Sequence, residues 1–239
     1  MLKPLLTAHW RYLAVLTFEI EPEVLVSYVP AGVELELENG RAYASLSGFL
    51  FYHTVIVGMP TPRHRNFEEV DLRFYVRKRS GDTWRRGLAF IAKLVPKAAI
   101  AVTARVFRGE PYLAVSMHGD VRDSEGEVHA CYQWKRGSKA EILAMTARGE
   151  PQPVLAGTHE DFILEHNWGY TQRTAERTNE YRIQHPRWKF WVADSYEFKA
   201  DVATVFGKDF VAALSTTPVS ALIADGSFVT VDRRDEQDE

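Results

Sequence analysis

Cysteine is almost absent from this chain of 239 residues. Cys131 stands alone, so no disulfide can form within the chain and no thiolate metal cluster can be built from it. Such usage fits a reducing compartment, and a cytoplasmic location is expected. Long apolar runs are missing too: Tyr12 to Leu16 and Ala98 to Val102 fall far short of the ~20 residues that span a bilayer, so no membrane partner is expected. Polar His9 and Arg11 interrupt what would have to be a signal peptide's apolar region, and the N-terminus reads as mature protein. Nor does one sign of charge dominate. A net charge of -3 offers no concentrated basic excess for phosphate, which argues against nucleic acid as a partner.

Familiar motifs are lacking as well. There is no phosphate loop, no dinucleotide-binding glycine pattern, no HExxH and no GxSxG elbow. His64, His118, His129, His159, His166 and His185 are scattered without ligand spacing, so neither a metal nor a cofactor is expected. A metal could assemble only in space, for example on His166 with Glu165 or His185. Ser227 and Cys131 invite a nucleophile reading, but the first follows the turn residues Asp225-Gly226 and the second sits where an alternating strand takes a small buried residue.

What the chain does have is hydrophobic residues at 46%, enough to bury a sizeable core, and neither a repeat nor a Pro/Gly/Ser linker to divide it. One domain over residues 1-232 with a charged tail over 233-239 is expected. Arg11 to Glu19 alternates as a strand with two apolar faces, and Glu21-Pro22 opens a short helix that Pro30 closes. Asn39-Gly40 marks a hairpin between Val33–Glu38 and a long strand from Arg41 to Val57, with Gly48 as a bend. A loop over 58–66, a reversal at Ser80-Gly81-Asp82, a strand from Trp84 to Leu94 and an alanine-rich helix from Ala98 to Phe107 follow. Further strands are read at 112–119, 127–135, 168–174, 178–184, 195–201 and 218–231, with a helix capped by Thr158. The fold class is α+β, mainly β: one curved or barrel-like antiparallel sheet with a few short helices.

The most informative segment is FEEVDLRFYVR at 67–77. Glu69, Asp71, Arg73, Tyr75 and Arg77 fall on one face of a strand, and Val70, Leu72, Phe74 and Val76 on the other. The charged face reads either as the wall of a polar cavity or as a solvated face laced with ion pairs. The aromatic clusters NWGY at 167–170 and HPRWKFW at 185–191 likewise read as cavity lining or as core.

HWRYLAVLTFEIEPEVLVSYVPAGVELEL, NFEEVDLRFYVR, EHNWGY, YRIQHPRW and PVSALIADGSFVTV, in that order, resemble the uncharacterized DUF2071 family, also called YqjF-like, over nearly the whole chain. That family in turn resembles the acetoacetate decarboxylase fold, a curved sheet or β-barrel around a central cavity. The resemblance matches Arg11 and Glu69 to a pocket arginine and glutamate of the decarboxylases, and Ala99 to Val102 to the segment leading to their Schiff-base lysine. Where the decarboxylases read Pro-Lys-Lys, this chain reads Glu110-Pro111-Tyr112-Leu113, so that lysine has no counterpart. Lys93 could point inward from its strand, although lysine is usually solvated.

The resemblance implies a polar and aromatic pocket centred on Arg11 and Glu69 and edged by Arg73, Tyr75, His166, Trp168 and Tyr170. Arg11 would hold a carboxylate or enolate-like oxygen, and Glu69 would accept a proton or orient a polar group. Two functions follow. One is a protein that binds or transforms a small carboxylate- or carbonyl-containing ligand, lyase-like or hydrolase-like if an enzyme and without Schiff-base chemistry. The other is a noncatalytic scaffold that kept the fold. A homo-oligomer is compatible with either.

Overall fold

The structure is a computed structural model that describes residues 4–56, 65–97, 99 and 109–233. The expected helix at 98–107, most of the loop at 58–66, the segment Ala99 to Val102 apart from Ala99, His64, and the tail beyond Arg233 lie outside the described residues.

Among the described residues fourteen strands, four short α-helices and one 3-10 turn at Lys208–Phe210 follow one another. In chain order they are β1 (Leu6–Ile20), α1 (Pro22–Val26), β2 (Glu34–Leu35), β3 (Ala42–Ile56), β4 (Phe67–Ser80), β5 (Thr83–Pro96) and β6 (Tyr112–Ser124). Then come β7 (Glu127–Arg136), β8 (Lys139–Arg148), β9 (Gln152–Pro153), α2 (His159–Leu164), β10 (Trp168–Gln172) and β11 (Thr178–Gln184). The chain ends with β12 (Lys189–Val192), β13 (Ser195–Lys199), α3 (Val202–Val205), α4 (Val211–Leu214) and β14 (Ser220–Arg233). Pro22 starts α1 at a position where no backbone donor is needed, and Thr158 caps α2 by accepting the Asp161 N–H at 3.3 Å. Among the described residues no helix is long and apolar enough to cross a membrane.

All the strands belong to one large curved sheet. Successive pairings β5-β10-β11-β14-β1-β3-β4, with β4 pairing back onto β5, make a closed circuit, and β6, β7, β8 and β13 extend from β5 as a flap. The sheet is mixed rather than purely antiparallel, because β6 and β10 each run parallel to β5. The two apolar faces of β1 now have a cause. Leu13 and Val15 join the cluster inside the circuit with Leu6, Phe49, Phe51 and Ile183, while Ala14, Leu16 and Phe18 join the cluster shared with Tyr132, Trp134 and Leu143 of the flap.

The Asn39-Gly40 turn forms, with φ of 52° and 80° closing the Glu38–Arg41 bridge. Its first arm differs from expectation: β2 is two residues long and pairs with β4 instead of β3. β8 was not foreseen, since KAEILAMTAR is rich in helix formers. Its ten-residue antiparallel ladder with β7 overrides that local preference.

Tyr12 has φ 54°, and the ladder to β3 slips between Arg11 and Ala14, so β1 carries a bulge there. Across it Gly226, φ 83°, approaches so closely that an added Cβ would overlap the Trp10 carbonyl. Gly226→Ala is therefore expected to cost about 2 to 3 kcal/mol in urea unfolding, from backbone strain plus overpacking. A loss below about 0.5 kcal/mol would show that β1 and β14 separate freely at this point.

Candidate functional site

The alternation of β4 places its charged face inside the circuit. Val70, Leu72, Phe74 and Val76 pack into the core shared with the flap, while Glu69, Asp71 and Arg73 turn the other way. Arg77 leaves this face for the surface, where it meets Glu34 at 3.4 Å and lies over Trp84. Antiparallel pairing sets Lys93 of β5 directly opposite Asp71, and the parallel step from Lys93 to Tyr112 brings the start of β6 alongside.

These registers gather a buried ionic cluster. The Lys93 ammonium lies 2.5 Å from Glu110 Oε2 and 3.5 Å from Glu69 Oε1, with Tyr112 Oη at 3.4 Å. Glu110 also accepts hydrogen bonds from Thr171 Oγ1 at 3.1 Å and from the Tyr181 hydroxyl. Arg73 Nε stands 3.9 Å from Asp71 Oδ1, an ion pair beyond hydrogen-bond reach. Glu69 and Asp71 are each 1% exposed and Lys93 4%.

A cavity opens against this cluster. Trp10, Phe49, Phe51, Leu88, Phe90 and Ile183 form its apolar wall, and Glu69, Asp71, Arg73, Lys93 and Tyr181 its polar one. Its volume of about 20 Å³ admits a water-sized group. Several buried polar atoms around it lack a hydrogen-bond partner: Trp10 Nε1, Ser47 Oγ, Glu69 Oε2, Asp71 Oδ1 and Arg73 Nε. Unsatisfied polar atoms at this density are unusual in a folded interior.

Burial controls the protonation of the cluster. It raises Glu69 to about 7, with Lys93 pulling back and Asp71 and Glu110 adding to the rise. It raises Asp71 to about 6 against the opposing pull of Arg73 and Lys93. For Lys93 burial works downward, yet Glu110, Glu69 and Asp71 together hold the ammonium above its ordinary range. Burial lifts the Tyr112 and Tyr181 hydroxyls well above theirs. The site thus holds two carboxyls that exchange protons near neutrality and a lysine fixed as a cation, and its proton steps belong to the group.

A second buried group lies beside the first. Glu36 accepts from Arg86 Nε at 2.6 Å and pairs with His166 Nε2 at 2.9 Å. Burial, then the repulsion of Arg86 and Arg73, holds His166 below its usual range despite Glu36. Tyr75 packs on the His166 ring at 4.9 Å and shares a 2.6 Å hydrogen bond with Ser45, which in turn meets Thr17 at 2.9 Å. Tyr75 and His166 thus adjoin the cavity's polar side without being part of its lining.

Three expected residues lie elsewhere. The bulge at Tyr12 directs Arg11 to Asp225, 2.6 Å away and about one-third exposed, and Arg11 does not line the cavity with Glu69. Trp168 and Tyr170 point to the opposite side of β10, under the Arg85 guanidinium and into the core respectively. It is their neighbours that face the cluster: Thr171 bonds Glu110, and a Cβ on Gly169 would overlap the Tyr181 ring. The aromatic motif was read one residue out of register. Ser227 accepts the Trp188 indole N–H at 2.8 Å within β14.

Sequence reasoning named Lys93 only as a lysine that could point inward, and it passed over Trp10, Glu110 and Tyr181. A signal existed for Lys93, the one charge in the apolar run Phe90 to Val95, and for Glu110, an acid wedged between Gly109 and Pro111. Among the described residues no group of three or more His, Cys, Asp or Glu is arranged to hold a metal. The Lys93 ammonium sits where the carboxylates converge.

The family model DUF2071, described as an uncharacterized conserved protein, matches residues 7–227. No curated protein matches the sequence. Among solved structures, an acetoacetate decarboxylase from Legionella pneumophila is similar with a TM-score of 0.64 at 15% identity, covering 97% of this chain and 86% of that one. An acetoacetate decarboxylase-like enzyme from Sphingomonas wittichii RW1 gives a TM-score of 0.62 at 14% identity, covering 98% and 94%. The enduracididine biosynthesis enzyme MppR, complexed with pyruvate, gives 0.63 at 13% identity, covering 98% and 91%. At these identities the likeness is one of fold.

Proposed function

Because the chain belongs to the DUF2071 family, whose description assigns no activity, we propose a function from its own cavity: it binds or transforms a small carboxylate- or carbonyl-containing molecule without Schiff-base chemistry. One observation carries this reading. Buried donors and acceptors without hydrogen-bond partners, Trp10 Nε1, Arg73 Nε, Glu69 Oε2 and Asp71 Oδ1, belong to four residues that line one cavity. Arg73 and Trp10 supply donors for a carboxylate, and Glu69, titrating near 7, moves a proton on or off the carbon or oxygen next to a carbonyl. The ammonium of Lys93 offsets negative charge developing on that oxygen. An enzyme built so is lyase-like or hydrolase-like.

Imine formation needs a neutral amine, and Lys93 lies 2.5 Å from Glu110 with its charge held on. Pyruvate or acetoacetate with borohydride is therefore expected to leave the protein mass unchanged, whereas a stable adduct on Lys93 would reverse the mechanism. Pyruvate in deuterated buffer is expected to exchange its methyl protons faster with the protein than without it, as followed by NMR. A six-atom acid exceeds the water-sized hollow, so the aromatic wall has to give way on binding. The small hollow favours the second reading, a scaffold that keeps the ion cluster for structure alone. Neither exchange nor binding of pyruvate or acetoacetate would decide for it.

A further inference from the structure

We propose that this site takes up its anionic ligand together with one proton, which a buried carboxylate of the site accepts, so that the uptake as a whole is electroneutral. The inference rests on the small-carboxylate reading and specifies the form in which the ligand binds.

The charges facing the cavity and its cluster come from three strands and the turn before the third. β4 contributes Glu69, Asp71 and Arg73, β5 contributes Lys93, the turn before β6 contributes Glu110, and β6 itself contributes Tyr112. β11 adds the Tyr181 hydroxyl, β10 the Thr171 hydroxyl, β1 the Trp10 indole, and β3 the Ser47 hydroxyl with Phe49 and Phe51. Among the described residues three carboxylates therefore face two cations, a surplus of one negative charge when all are ionised. An anion added to that surplus would leave two uncompensated charges in a desolvated interior, the arrangement that buried sites avoid by taking up protons.

The geometry also says which carboxyl takes the proton. Glu110 is committed as an acceptor to Lys93, Thr171 and Tyr181. Glu69 Oε2, by contrast, meets no donor, so a proton placed there clashes with nothing, whereas Asp71 Oδ1 faces the Arg73 guanidinium at 3.9 Å. Once protonated, that oxygen becomes a donor. It joins Arg73 Nε and Trp10 Nε1, two donors also without acceptors, around the cavity where the ligand's carboxylate or carbonyl oxygens would lie. The balance is simple: carboxylate, proton and ligand anion combine to a carboxylic acid hydrogen-bonded to the anion, with no covalent bond made or broken.

Titration calorimetry of the wild-type protein with pyruvate tests this in buffers of different ionisation heat. About one proton taken up per pyruvate is expected near pH 8, with the Kd rising about tenfold per pH unit above about pH 7 and levelling below about pH 6. Asp71→Asn removes the surplus charge, so its proton uptake should fall towards zero and its pH profile flatten. Pyruvate binding to wild type with no proton uptake and a flat profile would overturn the inference while leaving the proposed function standing. So would binding of L-alanine in preference to pyruvate, since its ammonium would then supply the missing positive charge. No binding of pyruvate or acetoacetate anywhere between about pH 5.5 and 8.5 would overturn both.

Discussion

Lys93→Met is expected to destabilise the protein by about 3 to 5 kcal/mol near pH 8 and by clearly less near pH 5.5, as read by urea unfolding at the two pH values. Lys93 is the cation that Glu110 and Glu69 share, at 2.5 and 3.5 Å, and it stands opposite Asp71 in the β4–β5 ladder. Methionine fills its volume but leaves three buried carboxylates with Arg73 as the remaining charge partner in the cavity wall. Breaking a buried pair on one side strands the other side's charge, which is the costly direction.

The pH dependence carries the diagnosis. A carboxyl whose folded pKa lies above its unfolded one binds its proton more tightly in the native state. Its contribution is fully present below the unfolded pKa and is lost as pH rises through the folded one. Glu69 and Asp71 already behave so, raised to about 7 and about 6. Without the ammonium their protonation becomes the main way to neutralise the cavity, so acid should restore much of what the substitution removes. An equal loss at both pH values would mean that Lys93 matters through its packed methylenes rather than its charge.

Much of this architecture could be read from periodicity. β4 showed its two faces directly, because every second residue from Glu69 to Tyr75 is polar while Val70 to Val76 supplies the apolar set, and the folded register keeps that division. Legibility failed where long-range pairing decides. Nothing local tells that β2 pairs with β4, or that the helix-forming composition of β8 is overridden by the β7 ladder. Arg11 was read from a spacing that resembles the decarboxylases, but the bulge at Tyr12 directs its side chain to Asp225. Trp168 and Tyr170 failed by one residue of register, the smallest error a strand allows and one that moves every side chain to the other face. Lys93, Glu110 and Tyr181 come from three distant segments, and only the closed circuit of strands brings them together.

Glu69→Gln should separate a site from a scaffold. In the wild type the carboxyl rises from an ordinary 4.5 to about 7 on burial, so its ionisation opposes folding across that interval, by an amount on the order of 3 kcal/mol at 1.36 kcal/mol per unit. Gln keeps the shape and cannot ionise. The variant should therefore lose part of the decline in stability between about pH 5 and 7.5, and near pH 8 it should be at least as stable as wild type. Lys93 keeps its shorter contact with Glu110, which limits what the lost Glu69 partner costs. Function should move the other way: exchange of pyruvate methyl protons should fall by about 10²- to 10⁴-fold, the usual contribution of a positioned acid–base group. A loss of about 3 kcal/mol or more near pH 8 would make Glu69 a structural counter-ion of Lys93 and favour the scaffold. Stability retained together with exchange abolished would place the proton-transferring group of this cavity on Glu69.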